Sequence, residues 1–165
     1  MISEHFQSMW RFARRLGVPE CDVDDVVQDV IWIAAKRLSD IKLGSEKAFV
    51  MATTYRVASD ARRSRARRNE VADDELLEMA GDIASPEALT DQLQARKLLD
   101  RVLTAMPMDM RAVFVLFELD GFTMAEIAKS LDLSPGTVAS RLRRARELFD
   151  ERVQRLSQRM AGGVA

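Results

Sequence analysis

The chain has one cysteine and one histidine, Cys21 and His5. A single thiol excludes an internal disulfide, and one histidine leaves no cluster with zinc-ligand spacing. Cys21 reads as a loop or helix-start thiol and His5 as a surface residue near a terminus, in a reduced setting. Proline and glycine are few, four and seven in 165 residues, and no clear strand alternation is present, which points to an all-α protein. No apolar run approaches membrane-spanning length and the N-terminus lacks a signal-peptide core, so the expectation is a cytoplasmic protein without membrane insertion. Also missing are a phosphate-cradling glycine loop, a metal-ligand cluster and a nucleophile–base pair. The chain is therefore expected not to be an enzyme, with no catalytic residue, metal or cofactor.

What is present is charge, unevenly placed. The content of 47% hydrophobic and 31% charged residues suits a soluble helical protein, and the formal net charge is only −1. Between Arg56 and Arg68 stand six arginines and one acid, Asp60. From Asn69 to Ala95 there are eight acids and no lysine or arginine. Basic residues return from Arg96. Two basic regions divided by an acidic one can bind nucleic acid despite a neutral total.

The most informative stretch runs from Thr123 to Arg146. Ile127, Ala128 and Leu131 fall at helical spacing. Ser134 suits an N-cap, and Pro135 the first position of the next helix, where its missing N–H costs nothing. Val138, Leu142, Ala145 and Phe149 then form one apolar stripe. The opposite face holds Ala139, Ser140, Arg143 and Arg144, with Thr137 near its start. A short helix, a turn and an arginine-bearing second helix form the helix-turn-helix pattern, whose second helix enters the DNA major groove. The bland alternative is a solvated surface helix.

The first half reads as three helices. One spans about Ile2 to Leu16, with Phe6, Met9 or Trp10, Ala13 and Leu16 as its apolar face, and Gly17-Val18-Pro19 ends it. A second runs from Val23 to about Leu38, with Asp22 as N-cap and Val23, Val26, Val27, Val30, Ile33 and Ala34 inward. Asp25, Gln28 and Trp32 lie opposite, with Asp29 at the edge. An outward tryptophan suits a protein-docking surface, or else Trp32 packs under the first helix or a loop. A third helix, Glu46 to about Arg63, packs through Phe49, Ala52, Val57 and Ala61 and runs into the arginines up to Arg68. It carries Thr53, Thr54, Tyr55, Arg56, Ser59 and Asp60, hydroxyls and an aromatic beside arginines that suit phosphates and unstacked bases.

The expected organisation is two small helical domains joined by an acidic flexible linker, the second domain a helix-turn-helix. The first covers 1–69, the linker 70–91 with a brief turn over Glu75 to Met79, and the second 92–156. Residues 157–165 form a disordered tail.

In this arrangement the chain resembles the bacterial RNA polymerase sigma factors of the extracytoplasmic-function type, within the sigma-70 family. Three segments carry the likeness. Asp24-Asp25-Val26-Val27-Gln28-Asp29-Val30 resembles the acidic stretch that docks on the polymerase clamp. Tyr55-Arg56-Val57-Ala58-Ser59-Asp60 and the following arginines resemble the segment that opens and reads the −10 element. Met106-Pro107 through Glu147 resembles the domain that reads the −35 element, with Phe122 to Ala128 and Gly136 to Arg146 its most specific parts.

The resemblance implies polymerase docking by Asp25, Gln28, Asp29 and Trp32, and −10 contacts by Tyr55, Arg56, Ser59, Asp60, Arg62 and Arg63. It implies −35 contacts by Thr137, Ser140, Arg141, Arg143 and Arg144. The implied partners are core RNA polymerase (the clamp of the beta-prime subunit and the beta flap), promoter DNA and an anti-sigma protein. Three positions depart from the family pattern. Thr53 and Thr54 stand where Trp-Leu is common, Ser59-Asp60 where Arg-Asn is common, and Ala139 where a basic residue usually follows Gly-Thr-Val. Arginine to guanine is the commonest specific base contact, so Ala139 should alter −35 preference. The rival reading is a polymerase-independent helix-turn-helix regulator whose first half dimerises or senses.

Overall fold

The computed structural model describes residues 3–71 and 91–162, and every element among them is helical. Helix α1 (Phe6–Arg15) follows one 3₁₀ turn (Ser3–His5). Its buried stripe is Met9, Phe12, Ala13 and Leu16. Phe6, expected on that stripe, is exposed, since burial begins one turn later at Met9. Trp10 is half-buried and donates from Nε1 to Asp24 Oδ1 at 3.0 Å, which ties α1 to the next helix. Gly17 closes α1 at φ +89°, in the left-handed region that favours glycine.

Helix α2 (Glu20–Lys36) starts earlier than the expected Asp22 cap, because Pro19 at φ −56°, ψ 146° already turns the chain into the helix. Asp22 sits inside the first turn, where its carboxylate suits the helix dipole and accepts from Arg65 at 2.8 Å. Val23, Val26, Val27, Val30 and Ala34 are buried, as their spacing predicts, while Ile33 is half-buried. A 3₁₀ turn (Leu38–Asp40) leads to α3 (Glu46–Val71). Helix α3 packs against α1, α2 and α6. Val50, Met51, Ala52 and Ala58 are consequently buried, and so are Thr53 and Thr54.

The second half begins with α4 (Asp91–Thr104) and α5 (Met108–Phe114). Helix α5 continues as one π turn (Val115–Leu119), closed by the Asp120 N–H donating to the Val115 carbonyl at 3.0 Å. Helices α6 (Met124–Leu131) and α7 (Pro135–Gly162) complete the chain, with α5 and α6 both packed on α7. Helix α7 runs past Ser157, where the tail was expected to begin. Val153 and Leu156 are half-buried and prolong its apolar stripe, and no glycine stands between Gly136 in its first turn and Gly162. Linker residues 72–90, including the turn expected over Glu75 to Met79, lie outside the described residues.

The buried side chains of both halves form one continuous hydrophobic cluster, from Met9 and Val27 through Met51 to Leu116, Ile127 and Leu142. Fully burying one such aliphatic side chain is worth roughly 1.5–3 kcal/mol. The halves thus share a core, with α3 against α6 and α1 against α4.

Candidate polymerase and nucleic-acid interfaces

The helix-turn-helix is fixed by local chemistry. Thr123 Oγ1 accepts from the Glu126 N–H at 3.2 Å, and Glu126 Oε2 accepts from the Thr123 N–H at 2.7 Å, a reciprocal capping box at the start of α6. The Thr123 N–H, helped by the Thr123 hydroxyl 2.7 Å from the same oxygen, holds the Glu126 carboxyl below its ordinary value. Asp132 turns the chain at φ 54°, and Ser134 Oγ accepts from the Thr137 N–H at 3.1 Å to cap α7. Val138, Leu142 and Ala145 are then buried, and Phe149 stacks on Phe114 with ring centroids 5.0 Å apart.

That packing separates the predicted recognition residues. Ser140, Arg143 and Arg144 are exposed beside Ala139. Arg143 lies 4.0 Å from Glu147 one turn on, whereas Arg144 has no ion pair among the described residues. Thr137 belongs to the cap, with its hydroxyl 2.8 Å from that of Ser134. Arg141 turns towards α5 and pairs with Asp109 at 3.3 Å. One turn further, Arg146 pairs with Glu118 at 2.6 Å and lies over the Phe117 ring, which braces α7 against the π turn.

The candidate residues of α3 divide into two stripes. Arg56, Asp60 and Arg63 follow one another at helical spacing and are exposed, with Asp60 and Arg63 paired at 3.5 Å. Tyr55, Ser59 and Arg62 form the neighbouring stripe and are half-buried. Ser59 Oγ donates to the Tyr55 carbonyl at 2.6 Å and approaches Met108 Sδ at 3.7 Å, while Arg62 donates to the Leu16 carbonyl at 2.7 Å. Thr53 and Thr54, expected among the nucleic-acid contacts, are instead buried. Their hydroxyls donate back to the Phe49 and Val50 carbonyls at 2.8 and 2.7 Å, which satisfies them inside the core and removes them from any ligand.

On α2, Asp25, Gln28, Asp29 and Trp32 are all exposed. Trp32 is 63% exposed and packs under neither α1 nor a loop; Lys36 Nζ sits 3.1 Å from its ring centroid. A large aromatic held at the surface among carboxylates and an amide has the composition of a protein-binding hot spot.

Two charged residues of structural weight escape the sequence patterns. Arg111 is 2% exposed and donates to the carbonyls of Leu16 at 2.8 Å and of Thr104 and Met106 at 2.7 Å each. Burial, with a smaller contribution from nearby Arg62, lowers its pKa to about 10, so it remains a cation at neutral pH. Asp120, in the turn after α5, has its carboxyl raised by burial against the opposing pull of Arg15, Lys47 and Arg11. Arg15 lies 3.7 Å away, and Lys47 Nζ donates to the Asp120 carbonyl at 3.0 Å. Neither residue belongs to a periodic face or a motif, and only the fold brings their partners together. Among the described residues no group of three or more histidine, cysteine, aspartate or glutamate side chains could hold a metal ion, and no helix is long and apolar enough to cross a membrane.

A capped helix-turn-helix, a basic helix and an exposed acidic–aromatic face, all on one helical chain, define a transcription factor built to meet both DNA and a protein machine. The family model described as Sigma-70, region 4 matches residues 96–149, from α4 to the middle of α7. The ECF RNA polymerase sigma-E factor of Escherichia coli K12 is 34% identical over 154 residues, 86% of this chain and 79% of that protein. RNA polymerase sigma factor NccH of Alcaligenes xylosoxydans xylosoxydans is 30% identical over 88% of this chain and 81% of its own length. Among solved structures, the sigma factor RpoE in complex with the anti-sigma factor NepR from Bartonella quintana superposes with a TM-score of 0.74. That match covers 90% of this chain and 91% of the other, at 22% identity, and shows the shared fold. CnrH in complex with the cytosolic domain of CnrY gives a TM-score of 0.64 at 26% identity, over 93% and 84%. The chain belongs to the extracytoplasmic-function (ECF) RNA polymerase sigma factors, which direct promoter-specific transcription initiation.

Proposed function

We propose that the two halves divide the promoter between them while α2 holds the polymerase. Residues 1–69 act as the docking and −10 domain, 70–91 as the linker and 92–156 as the −35 domain. Core RNA polymerase is bound through Asp25, Gln28, Asp29 and Trp32, with the clamp of the beta-prime subunit as their target and the beta flap as that of the second half. Tyr55, Arg56, Ser59, Asp60, Arg62 and Arg63 supply the surface for the melted −10 strand. The exposed Ser140, Arg143 and Arg144 reach duplex −35 DNA, supported by Thr137 in the cap and Arg141 braced on Asp109. Neither half performs chemistry, which is left to the polymerase. Binding to unpaired bases favours the open promoter because those bases are offered only in that state. RpoE was captured with the anti-sigma factor NepR and CnrH with the cytosolic domain of CnrY, and we assign this chain an anti-sigma partner and a cytoplasmic site of action.

The observation that carries this reading is the free face of α7. Behind a side-chain-capped turn it presents Ser140, Arg143 and Arg144 to solvent while Val138, Leu142 and Ala145 anchor it. Reconstituted run-off transcription tests it: added to core polymerase, the protein should yield a promoter-specific transcript that core alone does not make. Transcript levels equal to core alone would overturn it. The free protein should bind duplex promoter DNA weakly, unlike a self-sufficient regulator.

A further inference from the structure

The stripe of α3 formed by Tyr55, Ser59 and Arg62 is half-buried, and the other half of the same chain meets it at Ser59 and beside Arg62. Met108 of α5 lies against Ser59, and Arg62 is drawn to the Leu16 carbonyl that Arg111 also uses. Two charged contacts fix the geometry of this cover. In the first, the ends of α1 and α4 present the carbonyls of Leu16, Thr104 and Met106 to the Arg111 guanidinium, and helix C-termini favour a cation. Only the Leu16 bond crosses between the halves. Gly17 makes it feasible, because a Cβ there would meet Arg111 Nη1 at 2.6 Å.

In the second contact, Asp120 of the second half faces Arg15 and Arg11 of α1 and Lys47 of α3. Its carboxylate would be a buried charge without compensation if those cations were absent. A buried carboxylate surrounded by cations from the other half selects one docking geometry rather than adding much strength. The α2 face around Trp32 lies clear of this junction and is exposed.

We propose that Arg111 and Asp120, received by Leu16, Arg15 and Lys47, form an interdomain latch that closes the free protein over half of its −10 surface and leaves the polymerase-docking face open. Core polymerase can then engage the closed protein, whereas a single-stranded −10 segment gains the full α3 surface only after the halves part. The covering rests on the assignment of α3 to the −10 strand; the latch does not.

Charge reversal tests the two parts separately. Asp120→Arg sets a cation against Arg11, Arg15 and Lys47, and Lys47→Glu removes one partner at an exposed position of the other half should the first variant fold poorly. Small-angle X-ray scattering reads the latch. The parent should be compact, each variant should show a larger radius of gyration at unchanged helical circular dichroism, and Asp120→Arg combined with Lys47→Glu and Arg15→Glu should be compact again. An expanded parent, or variants as compact as the parent, overturns the latch. Anisotropy with a fluorescent −10 non-template oligonucleotide reads the covering. Affinity of the core-free protein should rise by about tenfold in Asp120→Arg, within the usual range of coupling between sites. Expansion with unchanged oligonucleotide affinity overturns the covering. Run-off transcription by the parent with core decides the α3 assignment independently, since its failure leaves the scattering result standing.

Discussion

Arg111 donates to the carbonyl of Leu16, 95 residues earlier in the chain, at 2.8 Å. A guanidinium that makes three carbonyl contacts while 2% exposed has no room for adjustment, and the residue beside its acceptor is a glycine at φ +89°. Alanine at Gly17 has to accept the left-handed conformation and displace Arg111 Nη1 as well. We expect Gly17→Ala to cost about 2 kcal/mol, from the backbone penalty and displacement of the guanidinium together. Gly44→Ala is the control. Gly44 has φ +82° but nothing within 4 Å of a new Cβ, so it should carry the backbone penalty alone. Urea unfolding of both variants checks this, and equal midpoints would show that the close approach carries no weight.

Trp32 should behave in the opposite way. At 63% exposure it contributes little to the core, so Trp32→Ala should leave the melting temperature nearly unchanged. Affinity for core polymerase should fall by about 2 kcal/mol or more, the scale of an interface hot spot. Competition for core against a labelled sigma factor measures this, and unchanged affinity would remove the docking face from α2. Asp25→Ala and Gln28→Ala should act in the same direction with smaller effects.

On α7 the structure distinguishes two arginines to which the family resemblance assigns the same role. Arg144→Ala should weaken −35-dependent transcription with no loss of stability, by about 1–3 kcal/mol if it reads a base edge. If it contacts a phosphate, the loss should be similar across promoter sequences and the salt dependence shallower. Arg141 pairs with Asp109 of α5, so Arg141→Ala should also lower the unfolding midpoint. Transcription from promoters with altered −35 sequences, set beside thermal melts, separates the roles. Equal melting losses in both variants would contradict the orientation of the helix.

What could be read from the sequence was local. Ser134 caps the helix that Pro135 begins, and Val138, Leu142 and Ala145 recur at its period, so α7 and its outer face follow from neighbours a few residues apart. Trp32 stood opposite a run of valines, and it is exposed for that reason. What was hidden depends on residues far apart in sequence. Thr53 and Thr54 resemble surface hydroxyls until α3 is packed among α1, α2 and α6. Arg111 and Asp120 are isolated charges whose partners come from α1, α3 and the end of α4. The π turn at Val115–Leu119 shifts one hydrogen bond from i−4 to i−5, a change for which apolar periodicity carries no signal.

Asp120 gives a pH dependence with a definite sign. Burial raises its carboxyl above the ordinary value even though Arg15, Lys47 and Arg11 pull the other way. Between the unfolded value and the raised folded one, the native protein holds more protons than the unfolded chain, so stability falls as pH rises through that window. Above it the full cost of the buried carboxylate is present, and below it the cost is gone. Asp120→Asn removes the titration and keeps the shape. The variant should therefore be as stable as the parent or more so at neutral pH, and the difference should close as the solution is acidified through the window. Replacing a buried ionic contact by a neutral group is often harmless, whereas Asp120→Arg places a cation among three others. Urea titrations at stepped pH values, parent beside Asp120→Asn, decide the point. A gap that widens on acidification would mean that the cations outweigh burial and that the carboxylate is held by attraction.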